Sequence, residues 1–235
     1  MEEFKYTEGN MDDADVYQVE YVDRTMVLCY ILAGVLAVIL ILYWSFEVHY
    51  FIRMGLTVFN ARVFKRKVHI LDSTSVTGVC LSTDVDTLLY HMNNARYLRE
   101  LDFARVDFYE RTDLYRTIRA KGGAVVQGAC TIRYRRFVRP FSVYTITSKI
   151  VYWDQNSIYM EHRFITPKDE FVRAIALCRQ RLINVSAEDV MTELLSNGAK
   201  AADPERGLEK PECPLEVLRW NESNEISSAN LRNGC

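Results

Sequence analysis

An uninterrupted apolar run near the start of the chain limits what this sequence can fold into. Residues 26–46, MVLCYILAGVLAVILILYWSF, contain no Asp, Glu, Lys, Arg or His over 21 residues. As an α-helix, which rises 1.5 Å per residue, the run is about 30 Å long and matches the hydrocarbon thickness of a bilayer. Because a helix buried in a soluble core usually keeps a polar stripe, the run predicts one transmembrane helix rather than a core helix.

The charges that flank the run predict its orientation in a membrane. Residues 1–25 carry eight acidic and two basic side chains, whereas residues 47–70 carry one acidic and five basic side chains. Lys and Arg concentrate on the cytosolic side, so the remainder of the chain is expected in the cytosol. A cleaved signal peptide is the alternative, although its basic segment should come first and its apolar core should be shorter. Glycosylation of the sequons at Asn184 and Asn221 would show a lumenal domain instead.

Composition and patterning divide the chain into five parts. With 49% apolar and 26% charged residues the chain is typical of globular proteins, and its net charge of −2 offers no overall attraction to nucleic acid. The juxtamembrane part combines Met54, Phe59 and Phe64 with basic residues, a combination that suits an amphipathic segment on an anionic membrane surface. The parts are an acidic tail (1–25), the transmembrane helix (26–46), a basic juxtamembrane segment (47–70), a folded domain (71–196) and a C-terminal extension (197–235).

The folded part has the element order of an α+β domain. A short β-rich run at 76–83 is followed by a helix from Asn93 to about Arg111, with apolar positions at Tyr97, Leu98, Leu101, Ala104 and Phe108. Alternating patterns then predict four antiparallel strands at about 124–137, 141–153, 157–166 and 170–184. Such a long helix can lie across a sheet of five or six strands. Residues 221–235 are expected to be a frayed tail.

The segment before the helix resembles a known family. Residues 84–98, DVDTLLYHMNNARYL, resemble the Asp-x-Asp, His and Asn-Asn pattern of the hot-dog fold thioesterases, and the run that continues to Val106 is similar to the membrane-anchored thioesterase superfamily member six proteins. The resemblance implies a hot-dog fold, in which a curled antiparallel sheet wraps a central helix. It also implies an acyl-CoA or other acyl thioester as substrate, a homodimer or dimer of dimers with sites at the subunit interface, and an endoplasmic reticulum membrane.

The resemblance implies roles for particular residues. Asp86 matches the carboxylate that acts as base or nucleophile in the family, and Asp84 is the alternative. His91 and Asn93 would orient water or the substrate carbonyl. Backbone N–H groups around Tyr90 to Asn94 would stabilise the oxyanion, because a helix N-terminus carries partial positive charge. From the residues themselves, Asp86 and Asn93 can equally cap the helix, and His91 can be a packed histidine.

The basic residues that precede Pro140 are candidates for holding coenzyme A. Arg135, Arg136 and Arg139 can bind its phosphates, although charges on edge strands also serve to prevent aggregation. No Gly-rich phosphate loop, HExxH or GxSxG motif and no CxxC pair occurs in the sequence, so neither a metal nor a cofactor is expected.

Two departures from the family pattern keep a second function open. The spacing from Asp86 to His91 is one residue longer than usual, and Leu88-Leu89-Tyr90 replaces the Gly that lets backbone approach the thioester. The resemblance implies a membrane-anchored acyl-CoA thioesterase. The alternative is a catalytically inactive hot-dog module that binds acyl lipids or a protein partner at the membrane.

Overall fold

A computed structural model describes the backbone of residues 13–199 and 209–234, and the side chains of residues 24–196 and 209–234. The chain divides into two compact units at Arg53 and Met54. The predicted apolar run and the predicted domain therefore belong to different units.

The first unit contains one long helix. Helix α1 spans Asp13–Ser45, and its Arg24–Ser45 portion is long and apolar enough to cross a membrane, with none of it buried inside the protein. The helix begins well before the apolar run at residue 26.

The second unit is a five-stranded antiparallel sheet with a central helix. The strands are β1 (Thr74–Val79), β2 (Ala124–Tyr134), β3 (Val143–Trp153), β4 (Ser157–Thr166) and β5 (Phe171–Ile183). They lie in the order β1-β3-β4-β5-β2, so β3, β4 and β5 pair with their neighbours in sequence and β2 pairs with β5. This is the hot-dog fold that the resemblance implied. The helices are α2 (Val48–Val63, which begins in the first unit), α3 (Asn94–Arg111), α4 (Leu114–Ala120), α5 (Ala187–Ala199) and α6 (Leu215–Arg232).

Helix α3 packs one face against the sheet. Buried Tyr97, Leu101, Ala104 and Phe108 repeat at intervals of four, three and four residues, as a single helix face requires. Three of them share a buried cluster with sheet residues such as Phe164, while Phe108 packs in the neighbouring cluster. Leu98, predicted on the same face, is exposed because it lies one position round the helix.

Two local predictions are wrong, and one short element was not predicted. The first strand covers Thr74–Val79 rather than 76–83, because the chain turns into a 3₁₀ helix at Ser82–Asp84. The element that was not predicted is the short helix α4. Residues 221–232, predicted as part of a frayed tail, are helical and belong to α6. This helix is anchored near its start by buried Val217 and by the Asn221 side chain, which donates a 2.7 Å hydrogen bond to the Tyr159 hydroxyl.

A buried histidine in the sheet makes stability depend on pH. His162 is fully buried, and its Nδ1 lies 2.7 Å from Oγ of Ser148. Burial, together with the charge of Arg105, lowers the pKa of His162 to about 3. The unfolded chain, with a His pKa of about 6.5, therefore binds the proton first as pH falls. We expect the free energy of unfolding to decrease by about 1.4 kcal/mol per pH unit between pH 6.5 and the folded pKa.

Chemical denaturation across this pH range, beside His162→Gln, checks the prediction. The variant keeps a hydrogen-bonding side chain but cannot bind the proton, so its stability should depend less steeply on pH below 6.5. Parallel profiles for the two proteins would show that His162 does not contribute.

Candidate active site

The residues that carry the family resemblance form a closed loop between β1 and α3. A bridge between Val85 and Met92 joins the two arms of the loop, and the Asp86 N–H donates a 2.9 Å hydrogen bond to the His91 carbonyl. The tip of the loop, residues 87–90, therefore projects from a defined base. This geometry brings Asp86 and His91 together although four residues separate them.

Asp84 is buried at the base of the loop. Its side chain is only 3% exposed, accepts a 2.8 Å hydrogen bond from the Leu81 N–H, and lies 2.7 Å from Nε of Arg96. Its own carbonyl accepts a 2.8 Å hydrogen bond from the Asn93 N–H. Both the carboxylate and the carbonyl of Asp84 are thus committed to holding the 3₁₀ turn against the start of α3.

Asp86 is the carboxylate that remains accessible. Its Oδ1 accepts hydrogen bonds from the backbone N–H groups of Tyr90 (3.0 Å) and His91 (3.4 Å), while Oδ2 lies 3.7 Å from Nε2 of His91. The Tyr90 N–H is the main reason that the pKa of Asp86 lies below its usual value. With its side chain 18% exposed, Asp86 presents an ionised carboxylate at the surface of the loop.

His91 is oriented by a backbone carbonyl and an aromatic ring. Its Nδ1 lies 2.9 Å from the Met92 carbonyl, so an Nδ1–H tautomer leaves Nε2 as the acceptor that faces Asp86. The imidazole stacks on the Phe137 ring at 4.3 Å between centroids and 9° between planes, and Tyr90 meets the same ring edge-on. Phe137 was not among the predicted site residues, and its only sequence signal is its place in the Arg-Arg-Phe-Val-Arg-Pro run at 135–140.

Most of the backbone donors predicted for an oxyanion are already used within the chain. The N–H groups of Tyr90 and His91 bind Asp86, that of Met92 binds the Val138 carbonyl at 2.9 Å, and that of Asn93 binds Asp84. The Asn93 side chain caps α3, since its Oδ1 accepts a 2.9 Å hydrogen bond from the Ala95 N–H. In the described part of the chain the N–H of Asn94, the first residue of the helix, has no acceptor.

Two of the three bulky residues that replace the family's Gly are largely exposed. Leu88 and Leu89 are 81% and 71% exposed, whereas the Tyr90 ring lies beside His91, at 5.8 Å between centroids. Leu89 has a φ of 54°, a left-handed conformation that glycine adopts easily and leucine rarely does. Leu89 thus adopts in the longer loop the backbone conformation that a glycine would favour, and this conformation strains the backbone.

Two of the three predicted phosphate-binding arginines converge on an aromatic ring. The guanidinium carbons of Arg135 and Arg136 lie 4.8 and 4.1 Å from the centre of the Phe171 ring, and Arg173 lies 5.3 Å from it. Arg173, which sequence analysis missed as part of this group, is paired with Asp169. Arg139, the third of these predicted arginines, is also exposed and follows buried Val138 in the sequence.

A cavity of about 420 Å³ lies at the opposite end of α3. Among its lining residues, Arg62 pairs with Glu110 at 2.7 Å and Lys67 pairs with Asp113 at 2.7 Å. None of the predicted site residues lines this cavity, and an 18-residue helix separates its end of the domain from Asn94 by roughly 27 Å. The candidate active site is instead the accessible surface around Asp86 and His91.

Comparison with known proteins identifies the family. The model of the thioesterase-like superfamily matches residues 80–220. Protein THEM6 of Drosophila melanogaster is 46% identical over 197 residues, which cover 84% of this chain and 97% of the relative. Protein THEM6 of Xenopus laevis is 37% identical over 201 residues, which cover 86% and 92% of the two chains.

One solved structure similar to this chain is YbaW, a probable thioesterase from Escherichia coli, with 27% identity and a TM-score of 0.48 over 52% of this chain and 95% of that chain. The assignment itself follows from the family model, which matches more than half of the chain, and from relatives aligned over nearly their whole length. This chain belongs to the thioesterase-like superfamily, within the family of the THEM6 proteins.

Proposed function

We propose that this chain is a membrane-anchored thioesterase that hydrolyses fatty acyl-CoA, with Asp86 as base or nucleophile. The observation that carries the proposal is the accessible, ionised carboxylate of Asp86, held beside His91 at the start of a helix whose first N–H, that of Asn94, has no acceptor in the described part of the chain. Membership of the thioesterase-like superfamily supports an acyl thioester as the substrate class.

The geometry supports hydrolysis by a short sequence of steps. Asp86 takes a proton from a water molecule as the water oxygen attacks the thioester carbonyl, or the carboxylate attacks that carbon directly and water then cleaves the anhydride. Negative charge builds on the carbonyl oxygen, where the Asn94 N–H at the helix N-terminus can stabilise it. In the first route the C–S bond then breaks and the sulfur leaves with the proton that Asp86 took up, so that the thiol of coenzyme A and a fatty acid are released. In the second route the C–S bond breaks as the anhydride forms and coenzyme A leaves as a thiolate. Hydrolysis of the anhydride then gives the fatty acid, restores the Asp86 carboxylate and supplies a proton to the thiolate.

His91 fits a positioning role in this mechanism. Its Nε2 and Oδ2 of Asp86 lie 3.7 Å apart, too far for a strong direct hydrogen bond but close enough for both to contact one water or substrate atom. The Phe137 ring holds the imidazole plane and provides an apolar wall beside it.

The function is tested by release of free coenzyme A from short, medium and long acyl-CoA esters by the purified full chain. We expect hydrolysis, with a preference among chain lengths. A folded protein that binds acyl-CoA but releases nothing from any ester would support the inactive acyl-binding module, which the exposed Leu88-Leu89-Tyr90 tip also suits.

The arginine cluster around Phe171 predicts a selective effect on coenzyme A binding. A guanidinium contributes charge-assisted hydrogen bonds to phosphate, so Arg136→Ala should raise KM for acyl-CoA by about tenfold. It should leave hydrolysis of an acyl-pantetheine thioester, which lacks the nucleotide, unchanged. The matched control is Arg181→Ala, which removes an exposed arginine on β5. If Arg136→Ala loses activity equally with both substrates, the result would argue against phosphate recognition.

The charge asymmetry around the apolar run supports a cytosolic domain, and the family supports the endoplasmic reticulum and a homodimer or dimer of dimers. Asn184 is a suitable reporter of topology because it is exposed at the end of β5, whereas Asn221 is tied to Tyr159. We expect neither sequon to be glycosylated in cells. A mass shift that endoglycosidase removes and Asn184→Gln abolishes would place the domain in the lumen.

A further inference from the structure

The outward face of α2 has the wrong polarity for a helix on a soluble domain. Met54, Thr57, Val58, Ala61 and Lys65 repeat at helical spacing and are buried or half-buried, so they form the inward face. On the opposite face Ile52, in the first unit, is 52% exposed. In the second unit this face carries Leu56, Phe59 and Val63, and Phe64 follows directly after the helix; all four are large apolar side chains that are more than half exposed. A surface helix normally places charged and polar residues there.

These four residues, which we call the α2 stripe, form one continuous surface. Leu56, Phe59 and Val63 are spaced by three and four residues, and the Phe64 ring meets the Phe59 ring edge-on at 5.9 Å. The expected amphipathic segment is therefore present, but Met54, predicted as one of its apolar anchors, faces inward. Contiguous exposed apolar surface of this kind marks a site of interaction.

Most of the neighbouring basic residues are engaged by the domain itself. Arg62 pairs with Glu110, Lys65 with Asp107 at 2.6 Å, and Lys67 with Asp113. These pairs join the end of α2 to the end of α3 and neutralise much of the positive charge. The surface beside them is thus apolar rather than strongly cationic, which fits the acyl and glycerol region of lipids better than anionic headgroups alone.

Chain connectivity keeps the stripe near any membrane that α1 crosses. Only Phe46 and Glu47 separate α1 from α2. Three extended backbone steps lead from Ser45 to Val48, and eight helical rises lead from Val48 to Leu56. Their combined length keeps Leu56 within roughly 25 Å of Ser45 in any arrangement of the two units. Four side chains of this size expose on the order of 500 Å², less than the roughly 800 Å² that each partner of a stable protein complex buries. This favours lipid over a second copy.

We propose that the α2 stripe lies in the interface of the bilayer that α1 crosses, so that α2 rests on the membrane as an in-plane helix. The inference rests on the membrane anchor of the proposed function. It adds a second membrane contact, which holds the domain at the surface where fatty acyl substrates partition. The contact is apolar, so it does not require anionic lipid.

The test is photocrosslinking of the full chain in phosphatidylcholine vesicles that contain a diazirine-acyl phosphatidylcholine, with the modified residues mapped by mass spectrometry. We expect the α2 stripe to be labelled about tenfold more than Ile226, a 63% exposed isoleucine on α6. Added phosphatidylserine or about 0.5 M salt should leave the ratio unchanged, since screening weakens only the charged contacts.

Two variants separate the stripe from the anchor. Leu56→Glu combined with Phe59→Glu should abolish labelling of α2 while α1 stays labelled, and Ile226→Glu, the matched control, should change neither. If α1 is labelled but the stripe is labelled no more than Ile226, the proposed membrane contact of the stripe is wrong while the anchor stands. Crosslinks from the stripe to a second copy, or labelling that salt abolishes, would lead to the same conclusion. An unlabelled α1 would overturn the anchor and the stripe together, while acyl-CoA hydrolysis by the soluble fraction would leave the enzymatic proposal standing.

Discussion

Asp86→Asn is expected to lower kcat for acyl-CoA hydrolysis by about 10²- to 10⁴-fold, the range typical of losing an acid–base group. The amide can still accept the Tyr90 and His91 N–H groups, so the loop should keep its shape. It has no negative charge, however, and can neither take a proton from water nor attack the thioester. The measurement is coenzyme A release under saturating substrate, together with KM.

The same variant should leave folding unchanged, because Asp86 lies at the surface and makes only local contacts. Thermal and chemical denaturation provide the control. A variant with wild-type kcat would remove Asp86 from the mechanism. A variant that loses both activity and stability would show that the carboxylate serves the loop rather than the reaction.

Asp84→Ala is expected to have the opposite pattern, lowering the free energy of unfolding by about 3 kcal/mol. The alanine removes the nearer carboxylate partner of the Arg96 guanidinium, which keeps only Glu100 at 3.8 Å, and it removes the acceptor of the Leu81 N–H. Because the change loosens the start of α3, some loss of kcat should accompany it. Urea denaturation of the variant measures the stability directly.

A double-mutant cycle with Arg96→Ala isolates the contribution of the pair. Neighbours that interact directly are non-additive, so the double variant should be less destabilised than the sum of the two single changes. Full stability of Asp84→Ala with complete loss of hydrolysis would reverse the assignment, and Asp84 rather than Asp86 would then be the reacting carboxylate.

Periodicity predicted the parts of this protein that depend on local patterns. The 21-residue apolar run predicted a helix that α1 contains, and the spacing of Tyr97, Leu101, Ala104 and Phe108 predicted the buried face of α3. Alternation predicted four antiparallel strands in the right order, with ends shifted by a few residues. These features follow from the 3.6- and 2-residue repeats of the backbone, which a single segment displays by itself. The motif of residues 84–98 added the family.

Only the tertiary structure distinguished the functional candidates from one another. Asp84 and Asp86 are two residues apart and chemically identical, yet one is buried against Arg96 and the other is accessible beside His91. Phe137, between β2 and β3, and Arg173, on β5, join their sites through contacts with residues distant in sequence or on neighbouring segments of the fold. Local sequence sets which conformations a segment prefers, but burial and charge pairing arise from residues far apart in the chain. The contacts made in the folded chain decide which of the two carboxylates stays accessible.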